Sequence, residues 1–361
     1  MAAIDALFDK LLAKGASDLH LAAQYPPMMR ARGDLVPLPD EPVLSSRDVS
    51  RYLYEIVSPE QREHFDREHD IDFAYAYADK ARFRANYMLK TTGMGAVFRT
   101  IPTKILTLDQ LNVPAGIRKL TELRAGLLLV TGPTGSGKST TLAAMIDHIN
   151  ATRNGHILTI EDPVEFVHHP KKCQITHREV GEHSPSFVEA IRSAGRENAD
   201  VILVGELRGA ETMKLALQLA SFGVLIFATV HTNSAPATID RFVNAFPSDE
   251  QPAIRGMLGD ALSGIVAQQL VKKADGSGRV ACHEILMGGG GLASIIREGK
   301  TAQVPSLIQA GQGEGMQTMD GTLEKLVREG LITPHDALEK ATNKEDFEKR
   351  MGARAAAAGE P

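Results

Sequence analysis

The chain has 361 residues, of which 43% are hydrophobic, so it is long enough for two domains with ordinary buried cores. A formal net charge of −5 gives no global preference for nucleic acid or for an anionic membrane surface. Two distant cysteines, Cys173 and Cys282, exclude a disulfide framework, and the apolar runs are too short to cross a bilayer, so we expect a cytoplasmic protein that reaches membranes only through partners.

The N-terminal part, residues 1–103, is predicted to be a small α/β domain. An amphipathic helix is predicted over 4–15 and a second helix over 50–65. Alternating apolar residues predict strands at 17–22, 70–77, 81–89 and 97–101. Prolines then mark a linker, which we place at 104–118.

From residue 119 to 361 the pattern changes to alternating strands and helices, which predicts a parallel sheet covered by helices. Each predicted strand is followed by polar residues, and open parallel sheets bind ligands beyond the carboxyl ends of their strands. We therefore expect these polar segments to converge on one site. The last third, beginning with a helix over 252–270, is predicted to be helical. The predicted strands are Leu127–Val130, Ile157–Ile160, Val201–Val204 and Leu225–Val230.

The segment after the first of these strands has the complete pattern G-x-x-x-x-G-K-[ST] and begins a helix-like run. Its glycines permit a backbone in which successive N–H groups point at phosphate, and the helix N-terminus adds partial positive charge. Lys138 can reach the β- and γ-phosphates, and the Ser139 hydroxyl suits Mg²⁺. The predicted nucleotide-binding residues are Gly132, Pro133, Thr134, Gly135, Ser136, Gly137, Lys138, Ser139 and Thr140.

Titratable side chains follow the other three strands. Glu206 can orient or deprotonate an attacking water or hold Mg²⁺, but a carboxylate in this place can also cap the next helix. Glu161 and Asp162 can hold Mg²⁺ through water or share the water-orienting role, and capping is an alternative for Asp162. His231 can sense a γ-phosphate or pass a hydrogen bond between subunits, although a lone histidine at a strand end is more often structural.

Arg84 and Arg99 lie in strand-like segments of the N-terminal part. Arginines supplied by a second domain or a neighbouring subunit can stabilise transition-state charge on a transferred phosphoryl group. The residue pattern alone favours ordinary surface arginines.

Further segments match the motifs of one known family. They are 15–21 (N-terminal signature), 82–84 and 98–102 (arginine segments of a PAS-like domain), 157–166 (Asp box), 204–206 (atypical Walker B), 229–232 (His box) and 292–298 (C-terminal helix motif). On these segments, and over nearly its whole length, the chain resembles the secretion-superfamily ATPases of type IV pilus systems, and most closely their pilus-retraction branch. Secretion and extension members usually carry a four-cysteine zinc motif, which this chain lacks.

The resemblance implies a PAS-like N-terminal domain followed by a RecA-like P-loop ATPase domain with C-terminal helices. It implies ATP and Mg²⁺ as ligands, with Mg²⁺ held by Ser139 and Glu206. It also implies a homohexameric motor at the cytoplasmic face of the inner membrane, which acts on a pilus platform protein to drive retraction and twitching motility, with a paralogous retraction ATPase as a further candidate partner. No nucleic-acid partner is expected. The implied catalytic residues are Glu206, Glu161, Asp162, His231, Arg84 and Arg99.

Three segments depart from the family pattern. Residues 221–224 are Ser-Phe-Gly-Val where the family has Glu-Thr-Gly-His, Gly209 replaces an aspartate, and residues 198–199 are Asn-Ala instead of Asp-Pro. These departures leave an accessory or weakly active paralogue as a competing interpretation. A secretion or conjugation traffic ATPase, a nucleic-acid motor and a non-catalytic regulatory ring also stay open as functions.

Overall fold

The computed structural model describes residues 2–31, 33–78, 80–101 and 104–358. The chain divides into two compact units, Met1–Lys104 with Glu165–Val167, and Ile105–Val164 with His168–Pro361. Residues 102 and 103, where we placed the end of the N-terminal domain, and residue 361 lie outside the described residues.

The first unit is built on an antiparallel sheet of six strands in the order β3-β2-β1-β6-β5-β4. Aromatic side chains fill its core, where Phe8 stacks on Phe83 with ring centroids 4.2 Å apart. The elements are α1 (Asp5–Ala13), β1 (Asp18–Ala22), β2 (Met28–Ala31), β3 (Asp34–Pro37), α2 (Ser46–Tyr54), α3 (Pro59–Glu68), β4 (Asp70–Tyr77), β5 (Ala81–Lys90) and β6 (Gly93–Ile101).

The helix predicted over 50–65 is wrong, because two helices occupy this region. Ser58 begins α3 with a capping box, in which its hydroxyl accepts from the Gln61 N–H and the Gln61 side chain accepts from the Ser58 N–H. Pro59 follows at the first helical position, where its missing N–H leaves no hydrogen bond unmade. These two signals end one helix and begin another, although the apolar spacing continues across them.

The second unit contains a sheet of seven strands in the order β13-β12-β7-β11-β10-β8-β9. All neighbouring strands are parallel except the β12–β13 pair. The strands are β7 (Gly126–Thr131), β8 (Gly155–Glu161), β9 (Cys173–Glu179), β10 (Val201–Val204), β11 (Leu225–Val230), β12 (Leu262–Lys272) and β13 (Arg279–Met287).

Helices cover both faces of this sheet. Alternate residues of β7 enter two separate cores, with Leu127 and Leu129 in one and Leu128 and Val130 in the other. This confirms that the continuous apolar runs are strands buried on both faces. The helices are α4 (Ala115–Thr121), α5 (Lys138–Thr152), α6 (Phe187–Ala194), α7 (Ala210–Ser221), α8 (Ala235–Asn244), α9 (Gln251–Ala261), α10 (Gly290–Arg297), α11 (Val304–Ala310), α12 (Met319–Arg328), α13 (Pro334–Lys340) and α14 (Lys344–Ala358).

The four strands predicted for this unit are confirmed, but its last third is not wholly helical. The helix predicted over 252–270 ends at Ala261, and the chain continues directly into β12, which forms a hairpin with β13. Val266 and Val271 are fully buried β-branched residues of β12. A short apolar run cannot be assigned to a strand or a helix by periodicity alone, and pairing with β7 decides the matter here.

Across the part of the chain that the structure describes, no helix combines the length and the apolar character needed to span a membrane.

Candidate nucleotide-binding site

The loop between β7 and α5 has the backbone that the glycine pattern predicts. Gly132, Gly135 and Gly137 have φ values of 152°, 76° and 85°, which side chains rarely allow. At Gly132 space is also limiting, because an added Cβ would lie 2.2 Å from the backbone oxygen of Gln268. Glycine is therefore required at Gly132 for both conformation and packing.

The N-terminus of α5 is available to an anion. Its N-cap is Gly137, which makes no side-chain capping hydrogen bond. The Ser136 hydroxyl oxygen is buried and has no hydrogen-bond partner within the described residues. Ser139 and Thr140 follow, half-buried, in the first turn. Uncapped N–H groups, an unpartnered hydroxyl and the positive end of the helix suit a phosphate group.

Lys138 places a positive charge inside this loop. It is 8% exposed, and its Nζ donates to the backbone oxygens of Gly132 at 3.0 Å and Pro133 at 3.1 Å. A buried ammonium group needs polar partners, and these carbonyls hold it within its own loop. Pro133, Thr134 and Gly135 form the exposed rim of the loop. The loop can therefore offer phosphate a charged side chain together with backbone N–H groups.

The polar segments predicted to converge lie at one edge of the sheet, because β7, β11, β10 and β8 are consecutive parallel neighbours. Glu206 is nevertheless separated from the phosphate loop by one strand. Strand β11 lies between β7 and β10, so His231 and Thr232 separate the loop from Glu206.

Hydrogen bonds connect these neighbouring strand ends. The Thr131 hydroxyl, at the end of β7, donates to the Thr232 oxygen at 2.6 Å and accepts from the Thr232 N–H at 3.0 Å. His231 Nε2 lies 3.2 Å from Glu206 Oε1. The phosphate loop, the segment after β11 and the carboxylate after β10 are thus joined through adjacent residues.

The Glu206 side chain does not cap a helix. Helix α7 has Gly209 as its N-cap and no side-chain cap, which excludes the capping alternative. The Glu206 side chain is 20% exposed and accepts a hydrogen bond from Arg208 Nε at 2.7 Å. With Arg208 and His231 as neighbours, the carboxylate is oriented while part of it remains open to solvent.

Glu161 and Asp162 differ in exposure. Glu161 ends β8 and is 8% exposed, and a Cβ added to Gly205 would lie 3.4 Å from Glu161 Cα, so the two strand ends pack closely. Asp162 is exposed, and no helix begins between it and α6, so helix capping does not explain it. Glu161 is therefore the carboxylate held within the strand ends, and Asp162 is the one that faces solvent.

Arg84 and Arg99 lie opposite each other on β5 and β6 of the first unit. Arg99 Nε donates to Asp18 Oδ1 at 2.8 Å, and Arg84 Nε lies 3.8 Å from Asp72 Oδ1. Although burial raises the pKa of Asp18, hydrogen bonds from Ser17 and Arg99 outweigh it and hold that pKa below its usual value. The Arg99 side chain is 69% exposed, so Asp18 orients it without burying it.

Two positioning groups were missed by the sequence reasoning. Asp18 lies in the N-terminal signature segment, 15–21. The sequence around Asp18 and His20 does not indicate that Asp18 pairs with Arg99. Gln268, on β12, donates a hydrogen bond from its Nε2 to the backbone oxygen of Ser136 at 2.7 Å. It lies in the stretch predicted to be helix, so no sequence signal connected it with the phosphate loop.

The departure at 221–224 lies away from this edge. It precedes Leu225, the first residue of β11, whereas His231 follows the last residue of that strand. A strand rises about 3.3 Å per residue, so the length of β11 separates the two segments. Phe222 there is 84% exposed. This departure therefore removes no group from the strand ends that carry the phosphate loop, Glu206 and His231.

Mg²⁺ would find few protein ligands here, as is usual for Mg²⁺ bound with a nucleotide. Within the described ranges no three His, Cys, Asp or Glu residues are grouped to hold a metal ion. Mg²⁺ in nucleotide sites is held by one or two protein oxygens together with phosphate and water. Ser139, in the first turn of α5, and Glu206 supply oxygens of the required kind.

Comparison with known proteins gives matches over most of the chain. The family described as type II/IV secretion system protein matches residues 2–327. PilT of Pseudomonas aeruginosa, a type IV pilus retraction ATPase, is 49% identical over 92% of this chain and 96% of its own length. PilU of the same organism, a type IV pilus ATPase, is 38% identical over 94% of this chain and 90% of its own length.

Among solved structures, the crystal structure of the pilus retraction motor PilT with bound ADP matches with a TM-score of 0.90 at 40% identity. The match covers 97% of this chain and 99% of that chain. This similarity confirms the predicted α/β fold class, with an N-terminal domain and a RecA-like ATPase domain.

Proposed function

The chain belongs to the type II/IV secretion system protein family and is an ATPase of that family, and we propose that it is the motor that powers retraction of type IV pili. Retraction by pilus disassembly would produce twitching motility. The observation that carries the proposal is the complete phosphate loop with Glu206 and His231 on adjoining strand ends, in a chain that matches a retraction motor over nearly its whole length.

The site residues divide the work of ATP hydrolysis. The backbone of residues 132–137 and the α5 N-terminus bind the phosphates, and Lys138 adds a charge-assisted contact. Glu206 orients the attacking water and accepts its proton, while His231 and Arg208 hold the carboxylate in place. Ser139 and Glu206 would hold Mg²⁺, whose charge would stabilise the phosphate oxygens. Glu161, the last residue of β8, and Asp162, which follows it, would hold Mg²⁺ through water or help to orient the attacking water.

We further propose a homohexamer in which Arg84 and Arg99 reach a nucleotide and stabilise transition-state charge. Asp18 supports this role, since it orients Arg99 while leaving the guanidinium exposed. The ring would lie at the cytoplasmic face of the inner membrane and act on the platform protein of the pilus machine, with no nucleic-acid partner. A heterologous interface that closes on itself suits such a ring.

An accessory role beside a more active retraction ATPase is the second candidate. The replacement of an aspartate by Gly209, close to Glu206, favours it. The higher identity to PilT than to PilU, 49% against 38%, favours the primary motor. We therefore place the primary motor first.

Steady-state phosphate release, native mass determination and complementation test the proposal together. The purified chain should form hexamers and hydrolyse ATP, and Lys138→Ala should abolish nucleotide binding and turnover. In a bacterium that lacks its own retraction ATPase and its paralogue, the wild-type chain should restore twitching zones. If the wild-type chain hydrolyses ATP but restores twitching only when a more active paralogue is co-expressed, the accessory role is the correct one. Undiminished turnover in Lys138→Ala would reject the phosphate-loop assignment.

A further inference from the structure

We propose that Gln268 is a positioning residue for the phosphate loop, which acts through the Ser136 carbonyl and is held in place by Thr141 and His283. The inference rests on the proposed function, because it deepens the role of this loop as the ATP site. Gln268 lies on β12, which pairs in parallel with β7 and so runs beside the strand that leads into the loop. Its side chain is buried, at 2% exposure.

The Gln268 amide makes three directed hydrogen bonds, one from its nitrogen and two to its oxygen. Its Nε2 donates a hydrogen bond to the backbone oxygen of Ser136 at 2.7 Å. Its Oε1 accepts from the Thr141 hydroxyl at 2.7 Å and lies 3.1 Å from His283 Nε2. A rotated amide would place Oε1 against the Ser136 oxygen, and two acceptors repel each other. The contacts therefore permit one amide orientation, in which the donor faces the loop.

His283 is a fixed donor in this network. It pairs directly with Gln268 in the β12–β13 register and is 3% exposed. Burial lowers its pKa to about 4, so the imidazole is neutral near pH 7 and carries one N–H. Gln268 Oε1 has no proton, so Nε2 of His283 must be the donor. The His283 carbonyl accepts from Gln317 at 2.9 Å and from Thr322 at 2.8 Å, which anchors its backbone.

Holding the Ser136 carbonyl also sets the direction of the next backbone N–H. In a trans peptide the C=O and the following N–H point in opposite directions. The Ser136 C=O points at Gln268, so the Gly137 N–H points away from β12, at the start of α5. This N–H is one of those available to phosphate. Gln268 therefore orients a phosphate-binding amide without contacting the nucleotide.

Two loop glycines are shaped to accommodate Gln268. A Cβ at Gly132 would lie 2.2 Å from the Gln268 backbone oxygen, and a Cβ at Gly137 would lie 2.9 Å from Gln268 Nε2. Both the backbone and the side chain of Gln268 thus pack directly against the loop. The loop conformation that presents N–H groups to phosphate is therefore the same conformation that packs against Gln268.

The test compares Gln268→Leu with Gln269→Leu, which removes the same side chain from the next residue on the opposite face of β12. Among the described residues, the Gln269 side chain makes one long hydrogen bond, 3.5 Å from its Nε2 to the Lys340 backbone oxygen, and no hydrogen bond to the loop. Affinity for fluorescent ADP and the kcat and KM of ATP turnover should be measured on the full-length protein. We expect Gln268→Leu to weaken nucleotide affinity and raise KM by about tenfold, with a smaller change in kcat, and Gln269→Leu to match the wild type.

Two further comparisons separate positioning from folding. Thr141→Val removes only the hydroxyl donor and should weaken nucleotide affinity, whereas Thr141→Ser should restore it. Since His283 acts only through Gln268, the double variant Gln268→Leu/His283→Leu should bind nucleotide as Gln268→Leu does. If Gln268→Leu fails to fold, the Thr141 pair decides the question alone.

Wild-type affinity in Gln268→Leu, equal affinities in the two Thr141 variants, or additive losses in the double variant would each overturn the inference. Its failure differs from failure of the proposed function. In the first case the wild type binds and hydrolyses ATP and the Gln268 variant does the same. In the second case the wild type itself does neither.

Discussion

Glu206→Gln tests the chemical step most directly, because the substitution preserves shape and removes one negative charge. In the folded protein the carboxylate lies 2.7 Å from Arg208 Nε and 3.2 Å from His231 Nε2. An amide retains one oxygen acceptor for Arg208 but cannot take a proton from water. We expect nucleotide to bind nearly normally and hydrolysis to be lost.

The magnitudes separate a chemical effect from a structural one. A positioned general base contributes about 10²- to 10⁴-fold to the rate, or about 2.7 to 5.4 kcal/mol of barrier. Arg208 is 76% exposed, so the ion pair that Glu206→Gln removes contributes about 1 kcal/mol or less to stability. The loss of kcat should therefore greatly exceed any change in the free energy of unfolding.

The assay is steady-state phosphate release, measured beside the affinity for fluorescent ATP and the unfolding midpoint. Glu211→Gln is the matched control, because Glu211 pairs with Arg192 at 2.9 Å on the surface of the same unit. The control should keep kcat within about twofold of the wild type. If Glu206→Gln turns over ATP at a rate within about threefold of the wild type, the catalytic assignment is wrong.

Three further predictions concern other parts of the molecule. Arg99→Ala should lower kcat more than it weakens ATP affinity, because the arginine is assigned to the transition state; equal losses of kcat and affinity would argue against that role. Burial lowers the pKa of His283 from 6.5 to about 4 in the folded protein. Between these two pH values only the unfolded chain binds the proton. The free energy of unfolding therefore falls as the pH drops from 6.5 towards 4, by up to about 1.4 kcal/mol per pH unit. Denaturation midpoints between pH 7.5 and 5 should fall less in His283→Leu than in the wild type, and parallel curves would contradict this. Gly132→Ala should lower the unfolding temperature more than Gly135→Ala, because both glycines have positive φ but only at Gly132 would a Cβ meet backbone, 2.2 Å from the Gln268 oxygen. Equal shifts would show that the close approach has no effect on stability.

Several features of this protein follow from short stretches of sequence. The phosphate loop is one, because its glycines, Lys138 and Ser139 act within eight consecutive residues. The buried parallel strands are another, since an apolar run such as Val201–Val204 matches the observed strand from end to end. Recognised motifs brought Arg84 and Arg99 forward, although their residue pattern alone resembled that of surface arginines.

Long-range pairing decided the remaining features. The sequence placed Glu206 at a strand end, but only the strand order shows that β11 and His231 lie between it and the phosphate loop. The stretch containing Gln268 has apolar spacing that suits a helix, and its pairing with β7 makes it a strand. Local propensity depends on neighbours along the chain, whereas the Gln268 amide is held against Ser136 and Thr141, which lie more than a hundred residues away in sequence. Sequence therefore predicted the nucleotide loop, and tertiary structure determined which side chains hold it in shape.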